Sequence, residues 1–215
     1  MKIQNLLIVL LAAGLAFVSY KWASSGSSDK TEPTVNAALE NIMTRTSVRA
    51  YTADTISSDD VETLLKAAMA APSAGNKQPW RFVVIKSRAT LDSIGANFGS
   101  MKMATQAPLA ILVCGDTDAT FPEDGRDYWI EDTSAAMENL LLAAHSINLG
   151  AVWCGVYPKT DRVKAFSEIF SLPENIIPMG LAVIGHPEGS QAPKDKWNTD
   201  NVHYENWRIN PAGDE

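Results

Sequence analysis

No familiar catalytic signature runs through these 215 residues: there is no G-x-G-x-x-G, no Walker loop, no G-x-S-x-G and no H-E-x-x-H. The three histidines, His145, His186 and His203, are scattered, so hydrolase and zinc chemistry have no support. His145 falls within an apolar helical segment and reads as a satisfied interface histidine rather than a catalytic base. Cysteine is scarce. Cys114 and Cys154 each sit inside an expected strand without any C-x-x-C, which makes buried free thiols the expectation. Basic residues are also in deficit, 18 against 25 acidic for a net charge of −7. Residues 1–28 hold only Lys2 and Lys21 as charges, leaving 16 basic against 25 acidic side chains beyond them. A nucleic-acid surface carries the opposite balance, so nucleic acid is excluded as a partner and any phosphate site must be a local cationic cluster.

With 46% apolar residues, the chain has enough material for one well-cored domain and a tail. Met1-Lys2 and the uncharged run from Leu6 to Tyr20 suggest a signal peptide or membrane anchor over residues 1–23. Membrane contact is then expected only through residues 3–22, with an exported or membrane-anchored, periplasmic or cell-envelope, location. Residues 24–34, which include Ser24-Ser25-Gly26-Ser27-Ser28, read as a flexible linker, and residues 35–215 as the folded domain.

Within that domain, residues 35–43 carry a short helical pattern. Ser57-Ser58-Asp59-Asp60 starts a second helix, with Val61, Leu64, Leu65 and Ala68 on its core face and Pro72 stopping it. Residues 81–86 read as a strand, 88–94 as a short helix, and 109–114 as a buried central strand because the run is continuously apolar. Residues 116–128 should form an exposed loop. The longest helix reads from Trp129 or Asp132 to Asn148, with Gly150 ending it. Residues 151–157 form the next strand, Thr160 caps a helix that turns Val163, Phe166, Ile169 and Phe170 inward, and residues 179–185 form the last strand. The tail from Pro187 has no periodicity of its own. Helices alternating with strands, without a glycine-rich first turn, suggest a mixed sheet flanked by helices.

Four groups of residues remain as candidates for chemistry. They are Arg45-Thr46-Ser47-Val48-Arg49, the loop from Pro72 to Trp80, the strand end at Gly155 and Val156, and Lys194-Asp195-Lys196. Two guanidiniums, two hydroxyls and a small-residue loop beside a strand suit an anionic, flat, polar-edged ligand such as a phosphorylated flavin. The pairs Glu131-Asp132 and Asp59-Asp60 read as a solvated face and a helix start rather than as acid/base pairs.

On these motifs the chain resembles the FMN-dependent nitroreductase superfamily over nearly all of residues 36–207. A basic-Ser-basic opening matches residues 45–49, and a Pro-Ser-small-x-x-Gln-Pro-Trp loop matches residues 72–80. Ala107-Pro108 precedes a buried strand, Leu149-Gly150 follows a long helix, and Lys194 and Lys196 match a late basic pair. The resemblance implies an α+β fold, a mixed and mainly antiparallel central sheet flanked by helices, in an intertwined homodimer. It implies FMN as cofactor, NADH or NADPH as electron donor, and a small nitro, quinone or similar oxidised acceptor, turned over by a ping-pong mechanism with no catalytic side chain. Arg45, Thr46 and Ser47 would hold the phosphate and ribityl chain with Lys194 and Lys196, and Arg49 would face the polar edge of the flavin ring. Pro72, Ser73, Ala74, Asn76 and Gln78 would cover the flavin from the partner subunit, and Gly155 and Val156 would offer a backbone N–H to flavin N5. Thr46 stands where many members have a second basic residue. Phe98, Met101, Met103 and the 121–129 loop fall where the family varies its pocket wall. The alternatives are a membrane-tethered flavin-binding electron carrier and a reductive dehalogenase, the latter disfavoured because only residues 87–107 are available for a lid.

Overall fold

The computed structural model describes residues 36–207. Helix α1 spans Ala37–Thr44 and α2 spans Ser58–Met69. The start of α2 follows the expected chemistry. Ser57 Oγ accepts the Asp60 N–H at 3.0 Å and donates to the Asp60 carboxylate at 2.7 Å, with Asp59 and Asp60 at the positive end of the helix dipole. Val61, Leu64 and Ala68 are buried. Strand β1 (Trp80–Ile85), helix α3 (Arg88–Asn97), a 3-10 stretch over Gly99–Thr105 and strand β2 (Leu109–Asp116) follow. Helix α4 (Tyr128–Ser146), strand β3 (Gly150–Gly155), helix α5 (Thr160–Phe170) and strand β4 (Ile176–Gly185) complete the core elements.

The four strands form one antiparallel sheet in the order β1-β2-β4-β3. The pairing is antiparallel throughout, as expected for the main sheet, and the parallel component is a single bridge from Ser47 to Ala151 on β3. Every residue of β2 is buried because helices cover both faces of the sheet. Leu109, Ile111 and Val113 pack with Met179, Ala182 and Ile184 against α2 and α4. Ala110, Leu112 and Cys114 pack with Leu181 and Val183 against α3, α5 and the 99–105 stretch. Phe166 is fully buried in the second layer, its ring 5.1 Å from that of Phe98.

Several boundaries differ from expectation. Gly150 does not end α4. The helix stops at Ser146, Asn148 takes the left-handed conformation at φ 62°, and Gly150 opens β3. A Cβ at Gly150 would come within 2.6 Å of Val48, so the glycine is there to let residues 45–51 lie against the strand. Thr160 does not cap α5; Lys159 occupies that position and no side chain bonds the first turn. Ile169 is 45% exposed, so only Phe166 of the expected inward set is fully buried. Asp116 belongs to β2 rather than to an exposed loop, and its carboxylate takes Arg81 Nη2 at 2.6 Å and Asn175 Nδ2 at 2.9 Å.

The signal or anchor expected at residues 1–23 and the linker at 24–34 lie outside the described residues. Among the described residues no helix is long and apolar enough to cross a membrane. The expected membrane contact through residues 3–22 and the exported or membrane-anchored location are corrected to this extent: no described element supplies a span.

Replacing Gly150 by Ala should force Val48 and its neighbours away from β3. A branched side chain next to the backbone has little room to swing aside, so urea denaturation should show a loss of about 1–3 kcal/mol relative to wild type.

Candidate functional site

Residues 45–51 are fastened to the sheet at Val48 and at Tyr51. Val48 N–H donates to Ala151 O at 3.0 Å. The buried Tyr51 hydroxyl donates towards Val48 O at 2.6 Å and Val183 O at 2.9 Å, while its ring lies over Gly185. Burial pushes the Tyr51 phenol well above its ordinary range, so it stays a donor. Helix α1 is tied to α4 through Asn41 Nδ2 to Leu142 O at 3.0 Å and Thr44 Oγ1 to His145 Nε2 at 2.9 Å. His145 is thus satisfied within its own chain. Arg45 emerges from this junction with Nε 3.2 Å from Glu138 Oε1 on α4. Arg45, Thr46 and Ser47 therefore stand together beside the start of β3, and Arg49 Nη1 reaches Ser47 O at 3.3 Å.

The loop after α2 is a strained turn. Gly75, Asn76 and Gln78 all have positive φ, at 54°, 55° and 50°. Ser73 Oγ accepts Gln78 N–H at 3.0 Å, and Gln78 Nε2 donates to Asn76 Oδ1 at 2.8 Å, so Asn76 and Gln78 bond each other. Ala74 N–H donates to Asp132 Oδ1 on α4 at 2.8 Å. A Cβ on Gly75 would come within 2.6 Å of the Phe121 ring, and Lys77 Nζ lies 5.1 Å from the centre of that ring. Pro72 is exposed at the entry to the loop.

At the far end of β3, Gly155 O accepts Arg162 Nη1 at 2.7 Å, and Arg162 Nη2 donates to Ser100 Oγ at 3.0 Å. Space beside Gly155 is open, for a Cβ there would meet only Tyr157 O at 4.0 Å. The Val156 and Tyr157 N–H groups both donate to Met179 O, at 3.2 and 3.0 Å. Arg49 lines a shallow cleft of about 290 Å³ with Lys102, Met103, Thr105 and Gln106. Buried Cys154 is 3.9 Å from Ser100 O and 4.0 Å from Met103 Sδ. Lys194 and Lys196 are exposed on the tail.

Three site residues escaped the sequence reading. Lys102 shares a cleft with Arg49, Arg162 braces the Gly155 carbonyl, and Asp132 is 5% exposed rather than part of a solvated face. For Asp132 a signal existed. It lies three residues after Trp129 and four before Ala136, on the same buried stripe of α4. Of the expected pocket-wall residues only Met103 reaches the cleft, since Met101 is fully buried and Phe98 packs on Phe166.

The family model for the nitroreductase family matches residues 42–100 and 92–186. The chain belongs to the nitroreductase family. A relative from Archaeoglobus fulgidus, provisionally named NADH dehydrogenase/NAD(P)H nitroreductase, is 42% identical over 79% of this chain and 98% of its own length. A solved structure from Bacteroides thetaiotaomicron under the same provisional name is 43% identical, with a TM-score of 0.76 over 81% of this chain and all of that one. A provisionally named nitroreductase from Desulfovibrio desulfuricans, crystallised in complex with FMN, is 29% identical with a TM-score of 0.68, over 81% of this chain and all of that one. In this nitroreductase-family chain the donor set fits a phosphorylated flavin. A guanidinium and hydroxyls stand at one end of β3, two further cations line a cleft, and Gly155 leaves open space at the other end.

The thiols give a testable pH dependence. Burial raises Cys154 from 9.0 to about 11, against the opposing pull of Arg49 and Arg162, and raises Cys114 to about 12. The native thiol keeps its proton where the unfolded one loses it, so this contribution is complete below pH 9 and is lost as pH rises through 11. Unfolding free energies from urea titrations should therefore fall between pH 9 and 11 less steeply in Cys154→Ala than in wild type, the difference approaching about 3 kcal/mol. Parallel pH profiles for the two proteins would contradict the assignment.

Proposed function

We propose that this protein is a homodimeric FMN-dependent oxidoreductase that passes electrons from NADH or NADPH to a small nitro, quinone or similar oxidised acceptor. The observation that carries the reading is the arrangement along β3. Ser47 pairs with Ala151 near one end, and Gly155 lies four residues further on, roughly 13 Å away at the strand's rise per residue. An elongated ligand with an anionic end spans such a distance, whereas a small ion does not.

Bound FMN would supply the two-electron carrier that takes hydride from the nicotinamide and returns the electrons to the acceptor. The chain's own residues bind and orient. Arg45, with Nε engaged by Glu138, presents its terminal nitrogens to the phosphate, and the Ser47 and Thr46 hydroxyls complete that end. Arg49 and Lys102 place positive charge at the polar ring edge, where negative charge grows on reduction. Gly155 lets the ring approach the backbone, and Arg162 holds that strand end in place. The 72–78 loop of the second protomer covers the ring and limits water. Lys194 and Lys196 on the exposed tail add charge at the phosphate end. One pocket serves donor and acceptor in turn, which gives ping-pong kinetics.

Anaerobic addition of NADH or NADPH to the purified yellow protein should bleach the flavin absorbance, and air or an added quinone should restore it. Double-reciprocal plots should be parallel; intersecting lines would defeat the single-pocket scheme. Arg45→Gln should raise the FMN dissociation constant by about 10–100-fold, the weight of one charge-assisted hydrogen bond to phosphate. Unchanged retention of flavin in that variant would remove the phosphate assignment.

A further inference from the structure

Asp132 is an uneconomical residue for a helix that is otherwise packed against the sheet. It lies on the stripe formed by Trp129, Thr133, Ala136, Met137 and Leu140, and it is 5% exposed. Its Oδ1 accepts a single hydrogen bond, from Ala74 N–H at 2.8 Å, and its Oδ2 is buried with no hydrogen-bond partner. A carboxylate taken out of water and left half-satisfied opposes folding. Its presence calls for a role other than stability, and its hydrogen-bond partner Ala74 points to where that role lies.

Ala74 begins the turn whose next residues adopt left-handed backbone. For Asn76 and Gln78 that conformation is strained, so the turn persists only if its surroundings hold it. Besides the turn's own backbone bonds, from Asn76 N–H to Ser73 O and from Lys77 N–H to Ala74 O, two side-chain holds are internal to the loop, Ser73 to Gln78 and Asn76 to Gln78, and both are exposed to competition from water. Phe121 supports the outer side of the loop, with Gly75 against its ring and Lys77 over it. Arg81 Nη1 on β1 reaches Gln78 O at 3.3 Å from the far end of the loop, but among the described residues the shorter bond, at 2.8 Å, is the one from Ala74 N–H to Asp132 on the buried stripe of α4. A charged acceptor sheltered from solvent also makes it the strongest of the set.

We infer that Asp132 is a positioning residue for the flavin-covering loop: it trades fold stability for a preformed turn at residues 74–78, so that the loop is ordered before flavin arrives. The inference rests on the flavin reading for its purpose, but not for its geometry. A loop already fixed in its binding shape does not lose ordering entropy on binding, which tightens the complex without adding a contact to the ligand.

The test compares full-length wild type with Asp132→Leu and Asp132→Asn. Leu fills the site with an apolar side chain of similar shape, whereas Asn keeps an oxygen for Ala74. Three measurements are made: the melting temperature, the rate of tryptic cleavage after the exposed Lys77 in flavin-stripped protein, and the FMN dissociation constant. Asp132→Leu should melt at or above the wild-type temperature, yet be cut at Lys77 about tenfold faster and bind FMN about tenfold more weakly, the weight of one lost bond to a charged acceptor. Asp132→Asn should return cleavage and affinity to within about threefold of wild type. A purely structural role would instead lower stability in step with flavin affinity, and that result, or a failure of Asp132→Leu to fold, overturns the inference. Wild-type cleavage and affinity in Asp132→Leu also overturn it. If wild type binds no FMN, the flavin reading fails while the melting and cleavage arms still decide whether Asp132 holds the loop.

Discussion

The fold turns on the burial of β2 and β4 from both sides. With helices over each face, the central strands have no surface on which a polar ligand could be desolvated and paired, which leaves the edge strands β1 and β3 and the loops at strand ends as the places for a candidate site. That constraint explains why the candidate groups come from distant stretches of the chain. Residues 45–51 bridge the edge strand β3 at Ala151, the 99–105 stretch lines the cleft beside Arg49, and α4 runs beneath both the Arg45 junction and the 72–78 loop.

Two buried polar groups hold these pieces in opposite ways. The Tyr51 hydroxyl donates into backbone carbonyls on its own segment and on β4, and its ring fills the space that Gly185 leaves. Its polar atom is paired and its ring adds apolar burial, so placement and stability run together. Asp132 places a loop while leaving one oxygen unpaired, so placement and stability run against each other. The division matches what each segment needs. Residues 45–51 belong to the framework, whereas the loop must present small residues and exposed amides in a shape that the backbone alone does not favour.

What was legible in the sequence was local. The Ser57 cap, the core face of α2, the continuous β2 run and the basic-Ser-basic segment are all set by neighbours within a turn or a strand length. What was misread depended on partners far along the chain. Gly150 looked like a helix end because only Val48, about a hundred residues away, shows why a strand begins with glycine. Thr160 resembled a cap, but Lys159 had already taken that position. Asp132 looked solvated beside Glu131, although helical periodicity put the two on different faces. Lys102 and Arg162 carry no local pattern at all; they matter because the fold delivers them to Arg49 and Gly155.

The Arg45–Glu138 pair bears on how an acidic protein could hold the anion proposed for this site. With a net charge of −7 the molecule's long-range field opposes anionic ligands, but salt screens that field beyond about 8 Å, and binding is decided by the groups within reach. A carboxylate beside the principal cation would seem to work against phosphate. As a source of stability the pair is minor, because Glu138 is about half exposed and such pairs are worth roughly 0–1 kcal/mol. Its effect is directional. Glu138 engages Nε of the planar guanidinium, and in the proposed site the two terminal nitrogens would serve as the fork for two oxygens of one anion. Lysine could not replace it there, since an ammonium held on one side has no fixed second face to offer.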